Sequence, residues 1–253
     1  MHITPYKNYR LMHNPYYPLD FSHKIVDQWE QASKDEDFAG QIENIEKRSV
    51  LPSPVFECNG VKFLAKYYRT RGIKRIVEAL LYLPESIRNF STAIHVERRG
   101  LLTSRPLCLW GDLWSGPHSW SVLFMEDLGK LPKLTDFLNS IPPDDEKAKR
   151  RISILLARAL AGLHEAGVYV RDPSKNILLD DKGNRILFYF IDFDSVIPYR
   201  PLTLRRIARV LQHCIRPPGR VDMFTDEERV LYIKEYLRSR SKQEWFDTLL
   251  YIV

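Results

Sequence analysis

Two acidic residues and one amide in the second half of the chain have the types and spacing that a phosphoryl-transfer site requires. Asn176 follows Asp172 by four residues, and Asp192 comes after a short hairpin. Transfer from ATP needs one carboxylate to orient and deprotonate the attacking hydroxyl. It also needs oxygen ligands for Mg2+, because this hard cation prefers carboxylate and amide oxygens. The sequence therefore predicts Asp172 as the base and Asn176 and Asp192 as the magnesium ligands.

A lysine in the first half of the chain can complete this set. Lys66 lies in residues 61–68, a run with β-strand character, and a lysine on an early strand can meet the α- and β-phosphates of ATP. Each of these four residues on its own is more often an ordinary structural or solvated residue. Their order, with a long helix before Asp172 and a hairpin before Asp192, favours phosphoryl transfer.

The first half of the chain is predicted to form an antiparallel sheet with helices. Asn59-Gly60 is a strong two-residue hairpin signal between strand-like runs at 55–58 and 61–68. Gly100 is placed to end a helix. The other elements predicted here are helices that reach residue 83 and span residues 85–99, and strands over residues 107–109 and 120–125.

The second half is predicted to be mainly helical. Asp144 can cap a long helix that Gly167 ends, because apolar residues recur between them at helical spacing. These residues are Ile152, Leu155, Leu156, Ala159 and Leu163. Two strands, at residues 176–179 and 185–191, flank a second hairpin turn. Two late helices carry capping-box patterns, Thr225 with Glu228 and Ser241 with Glu244.

Strands followed by helices predict a two-lobed α+β fold, with a small antiparallel β lobe and a mainly helical lobe. Residues 1–41 are interpreted as a loosely specified N-terminal extension with a short helix near residues 25–32. Residues 42–127 are predicted to form the N-lobe, with the phosphate-binding lysine. Residues 128–253 are predicted to form the helical C-lobe, with the catalytic and metal loops.

Composition limits the classes of protein to which the chain can belong. Of its 253 residues, 44% are hydrophobic and 28% are charged, as in soluble globular proteins. No apolar run approaches the roughly 20 residues of a membrane-spanning helix, and no signal-peptide pattern opens the chain. Three widely spaced cysteines favour reduced thiols in a cytoplasmic protein. The net charge of +6 suits an anionic partner: nucleic acid, anionic lipid or a phosphorylated substrate.

Several short motifs in a fixed order resemble one family. They are the Lys66 strand, residues 98–107, the strand and hinge 121–128, Leu163-His164-Glu165-Ala166-Gly167, the loop 171–179, Ile191-Asp192-Phe193-Asp194 and the helix 204–211. In this order they resemble the protein-kinase-like superfamily, and more closely its lipopolysaccharide core kinases, which phosphorylate Kdo or heptose. The resemblance covers roughly residues 50–237.

This resemblance implies ATP and Mg2+ as cofactors and a sugar hydroxyl of the lipopolysaccharide inner core as acceptor. It implies that Arg171 helps to hold the catalytic loop, that Asp194 assists the metal or the loop, and that the hinge backbone at Glu126 and Leu128 receives the adenine. The implied partners are lipopolysaccharide core or another lipid-linked sugar and an anionic membrane surface, with no nucleic acid. The implied location is the cytoplasm, peripheral to the inner face of the inner membrane. Basic residues that could meet anionic lipid or core phosphates are Arg69, Arg71, Lys74, Arg75, Arg98, Arg99 and Arg105.

Four features depart from the pattern of the superfamily. Val170 stands where a histidine is usual, and the interval from Asp172 to Asn176 is one residue short. No glycine-rich loop precedes Lys66, so the turn at residues 46–49 would have to cover the phosphates. The glutamate partner of Lys66 is not identified among three candidates: Glu78, Glu85 and Glu97.

Three alternatives to a sugar kinase stay open at this point. The first is a kinase of a small soluble molecule or of protein, because the motifs do not fix the acceptor. The second is a catalytically degenerate pseudokinase with a scaffold role, which the short Asp172–Asn176 interval favours. The third and weakest is a nucleic-acid-binding module, because the basic residues are spread out and no nucleic-acid motif is present.

Overall fold

The computed structural model describes residues 2–35, 48–50, 56–69, 83–113, 119–142, 144–170, 172–193, 196, 202–215 and 224–252. Residue contacts divide the chain into two compact units. The sheet unit comprises Met1–Ile94 and Ser104–Leu128, and the helical unit comprises His95–Thr103 and Gly129–Val253. The division into residues 1–41, 42–127 and 128–253 stays a prediction, and the helix expected before residue 83 lies almost wholly outside the described residues.

The strands of the described residues belong to two sheets. They are β1 (His2–Tyr6), β2 (Tyr9–His13), β3 (Arg48–Val50), β4 (Phe56–Cys58), β5 (Val61–Arg69), β6 (Leu102–Thr103), β7 (Pro106–Gly111), β8 (Trp120–Glu126), β9 (Ile177–Asp181) and β10 (Ile186–Phe190). Over the described residues, the sheet unit holds a seven-stranded sheet in the order β1-β2-β7-β8-β5-β3, with β4 also paired to β5. Its neighbouring strands are all antiparallel.

The helices of the described residues are concentrated in the helical unit. They are α1 (Leu19–Ala32), α2 (Glu85–Arg98), α3 (Leu134–Ser140), α4 (Glu146–Glu165), α5 (Pro173–Asn176), α6 (Leu204–Ile215), α7 (Asp226–Arg240) and α8 (Phe246–Ile252). Antiparallel strands followed mainly by helices form the α+β arrangement that the sequence predicts.

The large sheet buries side chains on both of its faces. Successive side chains of a strand point to opposite faces, so Phe63 and Tyr67 of β5 enter one core with Trp29 of α1. Tyr68 of the same strand enters a second core with Phe90 of α2. Strand β5 is therefore packed between two helices, and a polar side chain in its middle, such as Lys66, lies in a largely desolvated position.

The N-terminal residues differ from the loosely specified extension that the sequence suggested. Strand β2 pairs with β7, with Met12 opposite Leu109, and α1 begins at Leu19 rather than near residue 25. The reason is apolar spacing: Phe21, Ile25 and Trp29 recur every four residues and are all buried. This segment completes the sheet unit instead of trailing from it.

The first hairpin has the turn that its sequence predicts. Asn59 and Gly60, between β4 and β5, have φ values of 51° and 78°. Positive φ at both central residues is the requirement of a type I′ turn, which Asn-Gly satisfies at low steric cost. This turn fixes the register of β5 and hence the face of the sheet on which Lys66 lies.

Two helix ends differ from expectation and one agrees with it. Helix α4 is capped by Asp145, whose carboxylate accepts a hydrogen bond from the Ala148 N–H at 2.9 Å, and not by Asp144. The capping box of Thr225 and Glu228 is confirmed at α7. Ser241 does not cap a following helix, because it ends α7 in the left-handed region with φ 51°.

A partly buried polar chain connects α4 and α7 within the helical unit. The Arg240 guanidinium donates to the Tyr236 hydroxyl at 2.9 Å, and this hydroxyl lies 2.7 Å from His164 Nδ1. Burial, followed by the nearby Arg240 charge, lowers the pKa of His164 from 6.5 to about 3. His164 is therefore neutral at physiological pH and fixes the end of α4, eight residues before Asp172.

The described residues contain no helix that is both long enough and apolar enough to cross a membrane. Cys58, Cys108 and Cys214 are buried free thiols.

Candidate active site

Asp172 stands at the start of a single helical turn, α5, in the N-cap position. Its carbonyl oxygen accepts hydrogen bonds from the N–H groups of Lys175 and Asn176, both at 3.1 Å. Pro173 occupies the first turn, where its missing N–H costs nothing. The Asp172 side chain is exposed and makes no capping hydrogen bond. The fold thus uses the backbone of this residue and leaves its carboxylate for other chemistry.

Asn176 ends the helical turn, whereas the sequence suggested that this residue begins β9. Proline at the first position favours a helical start, so the turn continues to Asn176 before the strand begins at Ile177. The Asn176 N–H bonds back to Asp172, as in an α-helix. One turn of helix therefore joins the predicted base to the predicted metal ligand.

Backbone pairing brings Asn176 next to Asp192. In the β9–β10 hairpin, Ile177 lies opposite Phe190. The ladder continues one step further, because the Ile191 N–H donates to the Asn176 carbonyl at 2.9 Å. Asp192 follows directly in the chain. The two predicted magnesium ligands therefore leave the end of one hairpin side by side.

Asp192 adopts an unusual backbone conformation. Its φ of 60° lies in the left-handed region, which aspartate and asparagine enter more readily than other non-glycine residues. The side chain is half-buried, and Phe193 after it is fully buried. A buried anchor that follows a left-handed residue fixes the direction in which the chain leaves β10.

The loop that carries Asp172 is held from both sides. After Asp172 in the chain, the Ser174 carbonyl accepts a hydrogen bond from the Thr135 hydroxyl of α3 at 3.4 Å. Further along, the Leu179 N–H donates to the Pro132 carbonyl at 3.0 Å. Before Asp172, Val170 is only 1% exposed. Val170 takes the place of the usual histidine and anchors the loop by apolar packing.

The oxygen donors at the hairpin end suit Mg2+ when phosphates are also present. Asn176 supplies an amide oxygen and Asp192 a carboxylate. The described residues contain no group of three or more His, Cys, Asp or Glu side chains that could hold a metal alone. Mg2+ commonly binds one or two protein oxygens together with substrate phosphates, so this donor set fits a magnesium–nucleotide complex.

Lys66 lies on β5 of the large sheet, opposite Leu123 of β8 and Val50 of β3. The side chain is buried, with 7% exposure, and its Nζ lies 5.4 Å from the centroid of the Tyr68 ring. Its glutamate partner stays unidentified. Glu78 lies outside the described residues, Glu85 lies 3.9 Å from Arg88, and Glu97 belongs to the helical unit.

Some backbone N–H and C=O groups of the hinge after β8 make hydrogen bonds within the sheet unit. The Glu126 N–H donates to the Arg105 carbonyl at 2.8 Å, and the Glu126 carbonyl accepts from the Ser104 hydroxyl at 2.6 Å. The Asp127 N–H donates to the Lys62 carbonyl at 2.8 Å. The backbone of Leu128 makes no hydrogen bond to another described residue. Of the two hinge residues predicted to bind adenine, Leu128 thus has the more available backbone.

Some predicted functional residues lie outside the described residues. They are Arg171, Asp194, and three of the basic residues, Arg71, Lys74 and Arg75. The roles of Arg171 and Asp194 stay predictions. Of the described basic residues, Arg98 and Arg99 are exposed near the end of α2, and Arg105 is exposed beside Glu126.

Sequence reasoning missed two residues around Lys66. Tyr68 lies two residues further along β5 and therefore on the same face, a signal that strand alternation could have supplied. Asn89, on α2, donates to the Tyr68 hydroxyl at 2.8 Å. Nothing in the local sequence indicates that this asparagine meets the lysine strand.

The fold is that of the protein-kinase-like proteins. The solved structure titled "WaaP in complex with acyl carrier protein" matches 96% of this chain and 95% of that chain, with a TM-score of 0.57 and 16% sequence identity. The sequence pattern of the lipopolysaccharide kinase (Kdo/WaaP) family matches residues 36–200. The chain belongs to this family of kinases. Comparison with curated protein sequences gave no match.

Proposed function

We propose that this protein transfers the γ-phosphoryl group of ATP to a sugar hydroxyl, of Kdo or heptose, in the lipopolysaccharide inner core. The main support is the hairpin end at which Asn176 and Asp192 emerge side by side, one helical turn from the exposed carboxylate of Asp172. Membership of a lipopolysaccharide kinase family supports the acceptor class.

Each site residue has a defined role in this proposal. Asp172 orients the acceptor hydroxyl and takes its proton as the oxygen attacks the γ-phosphorus, while the bond from this phosphorus to the bridging oxygen breaks and ADP leaves. Asn176 and Asp192 would hold Mg2+, which when bound would neutralise charge on the phosphates. Lys66 steadies the α- and β-phosphates. The hinge backbone at Leu128 and Glu126 receives the adenine, and Arg171 helps to hold the catalytic loop.

The lipid-anchored acceptor places the reaction at a membrane surface. We propose that the protein is cytoplasmic and binds peripherally to the inner face of the inner membrane. Exposed cations such as Arg98, Arg99 and Arg105 would attract anionic lipid or core phosphates by roughly 1 kcal/mol each. Vesicle sedimentation with and without anionic lipid would test this attraction, which should weaken as salt rises.

The first experiment is ATP binding by calorimetry, with and without Mg2+. The proteins compared are the wild type, Asp192→Asn and Asp144→Asn, a matched control at an exposed acid that caps no helix. We expect magnesium-dependent binding in the wild type and in the control, and its loss in Asp192→Asn. A wild type that does not bind millimolar ATP would support the pseudokinase alternative, which the short interval between Asp172 and Asn176 favours.

The second experiment identifies the acceptor. Purified core lipids that end in Kdo or in heptose are incubated with ATP and Mg2+, and the products are analysed by mass spectrometry. We expect one phosphate to be added to one of these lipids, with the modified hydroxyl located by NMR. Magnesium-dependent ATP binding without transfer to either lipid would point to a soluble small molecule or a protein as acceptor.

A further inference from the structure

Lys66 and Tyr68 form a buried cation–ring pair on one face of β5. Their exposed fractions are 7% and 6%, and the Lys66 Nζ lies 5.4 Å from the ring centroid. A desolvated ammonium group over an aromatic face is attracted to the ring more strongly than the same pair is in water. The Tyr68 ring therefore restricts the positions that the Lys66 head group can occupy.

The Tyr68 ring is itself held by α2. Asn89 donates through Nδ2 to the Tyr68 hydroxyl at 2.8 Å, and Asn89 is 1% exposed. A second hydrogen bond lies beside the first, from the Ser121 hydroxyl to the Ser86 hydroxyl at 2.8 Å. Tyr68 and Ser121 are direct cross-strand partners, while Ser86 and Asn89 are one turn apart on α2. Two adjacent hydrogen bonds thus fix α2 to the strand pair that carries Lys66.

We propose that Tyr68 is a positioning residue for Lys66, and that Asn89 fixes the Tyr68 ring in the orientation that holds the ammonium group toward the ATP phosphates. This inference rests on the proposed kinase function. It assigns to the contact between α2 and the lysine strand a role in nucleotide affinity beyond its contribution to the core. Movement of α2 would be transmitted through Asn89 and Tyr68 to the phosphate-binding cation.

Nucleotide affinity is one test, with a matched core variant as control. Tyr68→Leu removes the ring beside Lys66, whereas Tyr67→Leu removes a buried ring that packs on the opposite face of the same strand, against Trp120. Tyr68→Phe keeps the ring and removes only the bond to Asn89. Melting temperature, the Kd for magnesium–ATP, and the KM for ATP and kcat are measured for all three variants.

We expect both leucine variants to lose thermal stability, but only Tyr68→Leu to weaken ATP binding, by roughly tenfold. Tyr68→Phe should weaken binding about twofold to fivefold. Equal ATP affinities in Tyr68→Leu and Tyr67→Leu would reduce Tyr68 to a core residue and overturn the inference. In that case magnesium-dependent ATP binding by the wild type would leave the proposed function standing.

Lysine acetylation without nucleotide tests the pair independently of kinase activity. Acetic anhydride labelling is read at Lys66 by mass spectrometry, with the exposed Lys62 of the same strand as internal reference. We expect Tyr68→Leu to raise the labelling of Lys66 several-fold relative to Lys62, and Tyr67→Leu to leave this ratio near its wild-type value. An unchanged ratio in Tyr68→Leu would overturn the positioning role even if the protein binds no ATP.

Discussion

The two parts of the proposed site are built in different ways. The metal part is local: Asp172, Asn176 and Asp192 lie within 21 residues and are joined by a helical turn and one hairpin. The phosphate part is assembled over distance, since the Lys66 strand is held by Asn89 on α2 and paired with Leu123 on β8. Local assembly tolerates change elsewhere in the fold, whereas the phosphate part depends on correct packing of the whole sheet unit.

The largest expected effect comes from a substitution in the metal part that leaves the fold unchanged. Asp172→Asn keeps the shape of an exposed side chain that caps nothing, but it removes the proposed base. We expect kcat to fall by about 10²- to 10⁴-fold, with melting temperature and ATP affinity unchanged. Steady-state kinetics on the identified acceptor measure this, with Asp144→Asn as control. Normal turnover in Asp172→Asn would remove the assignment of Asp172 as base.

The second prediction concerns Gly111, a residue outside the phosphate part whose substitution disturbs the packing on which that part depends. Gly111 of β7 has φ 136°, and an added Cβ would lie 2.6 Å from the Trp120 carbonyl oxygen and 2.8 Å from the Ser121 Cα. Both are backbone atoms and cannot move aside cheaply. We expect Gly111→Ala to lower the free energy of unfolding by about 3 kcal/mol and to weaken ATP binding, because Ser121 anchors α2. Urea unfolding and calorimetry check the two effects, and wild-type stability would contradict the prediction.

The third prediction concerns the helical core that supports the metal part. Because the folded pKa of His164 lies at about 3, below its ordinary 6.5, the unfolded chain binds the extra proton between these values. His164 thus leaves stability constant above about pH 6.5 and lowers it progressively as pH falls toward 3. The loss is at most about 1.4 kcal/mol per pH unit.

Urea unfolding from pH 7.5 to pH 4.5 measures this loss against His164→Asn, which can keep a hydrogen bond to Tyr236 but does not titrate. Carboxylates contribute to the pH dependence of both proteins, so the difference between the two curves isolates the histidine. We expect the wild-type curve to be the steeper one. Parallel curves would show that His164 is not held neutral by burial.

The smallest expected effect is a difference in stability between two substitutions of Asp192, in the metal part. At φ 60°, alanine in place of Asp192 costs roughly 1 kcal/mol more than asparagine, which tolerates the left-handed region. We therefore expect Asp192→Ala to be less stable than Asp192→Asn, although both lose magnesium-dependent ATP binding. As a control, the same two substitutions are made at Asp144, which does not have a positive φ. Equal stability of the two Asp192 variants would argue against a strained backbone there.

The difference between local and long-range assembly also explains which features the sequence could predict. The local elements that carry the proposed metal part were predictable because neighbouring residues determine them: the β9–β10 turn gives a hairpin, and apolar spacing gives α4. Asn59-Gly60 likewise gives the hairpin that precedes the Lys66 strand. Even in the metal part, the pattern of residues 176–179 predicts a strand that includes Asn176, whereas the helical turn that begins at Pro173 continues through Asn176. The confirmed two-lobed α+β fold follows from the order of these local elements.

The long-range part was not predictable from one sequence. Strand β2 joins the sheet through β7, whose residues lie nearly a hundred positions later, and no local pattern encodes that pairing. Similarly, the contact of Asn89 with Tyr68 depends on how α2 packs on β5. Lys66 could be proposed from its strand and its place in the order of motifs, but the side chains that surround it could not.

The assignment of His95–Thr103 to the helical unit has a consequence for how the protein can be divided experimentally. This segment contributes β6, which pairs in parallel with β10, and His95, whose Nε2 donates to the Ala166 carbonyl at 2.8 Å. A recombinant fragment that starts at Gly129 would lack both and would present β10 as an open strand edge, a template for aggregation. Fragments cut at the hinge are therefore poor reagents, and binding studies require the chain intact.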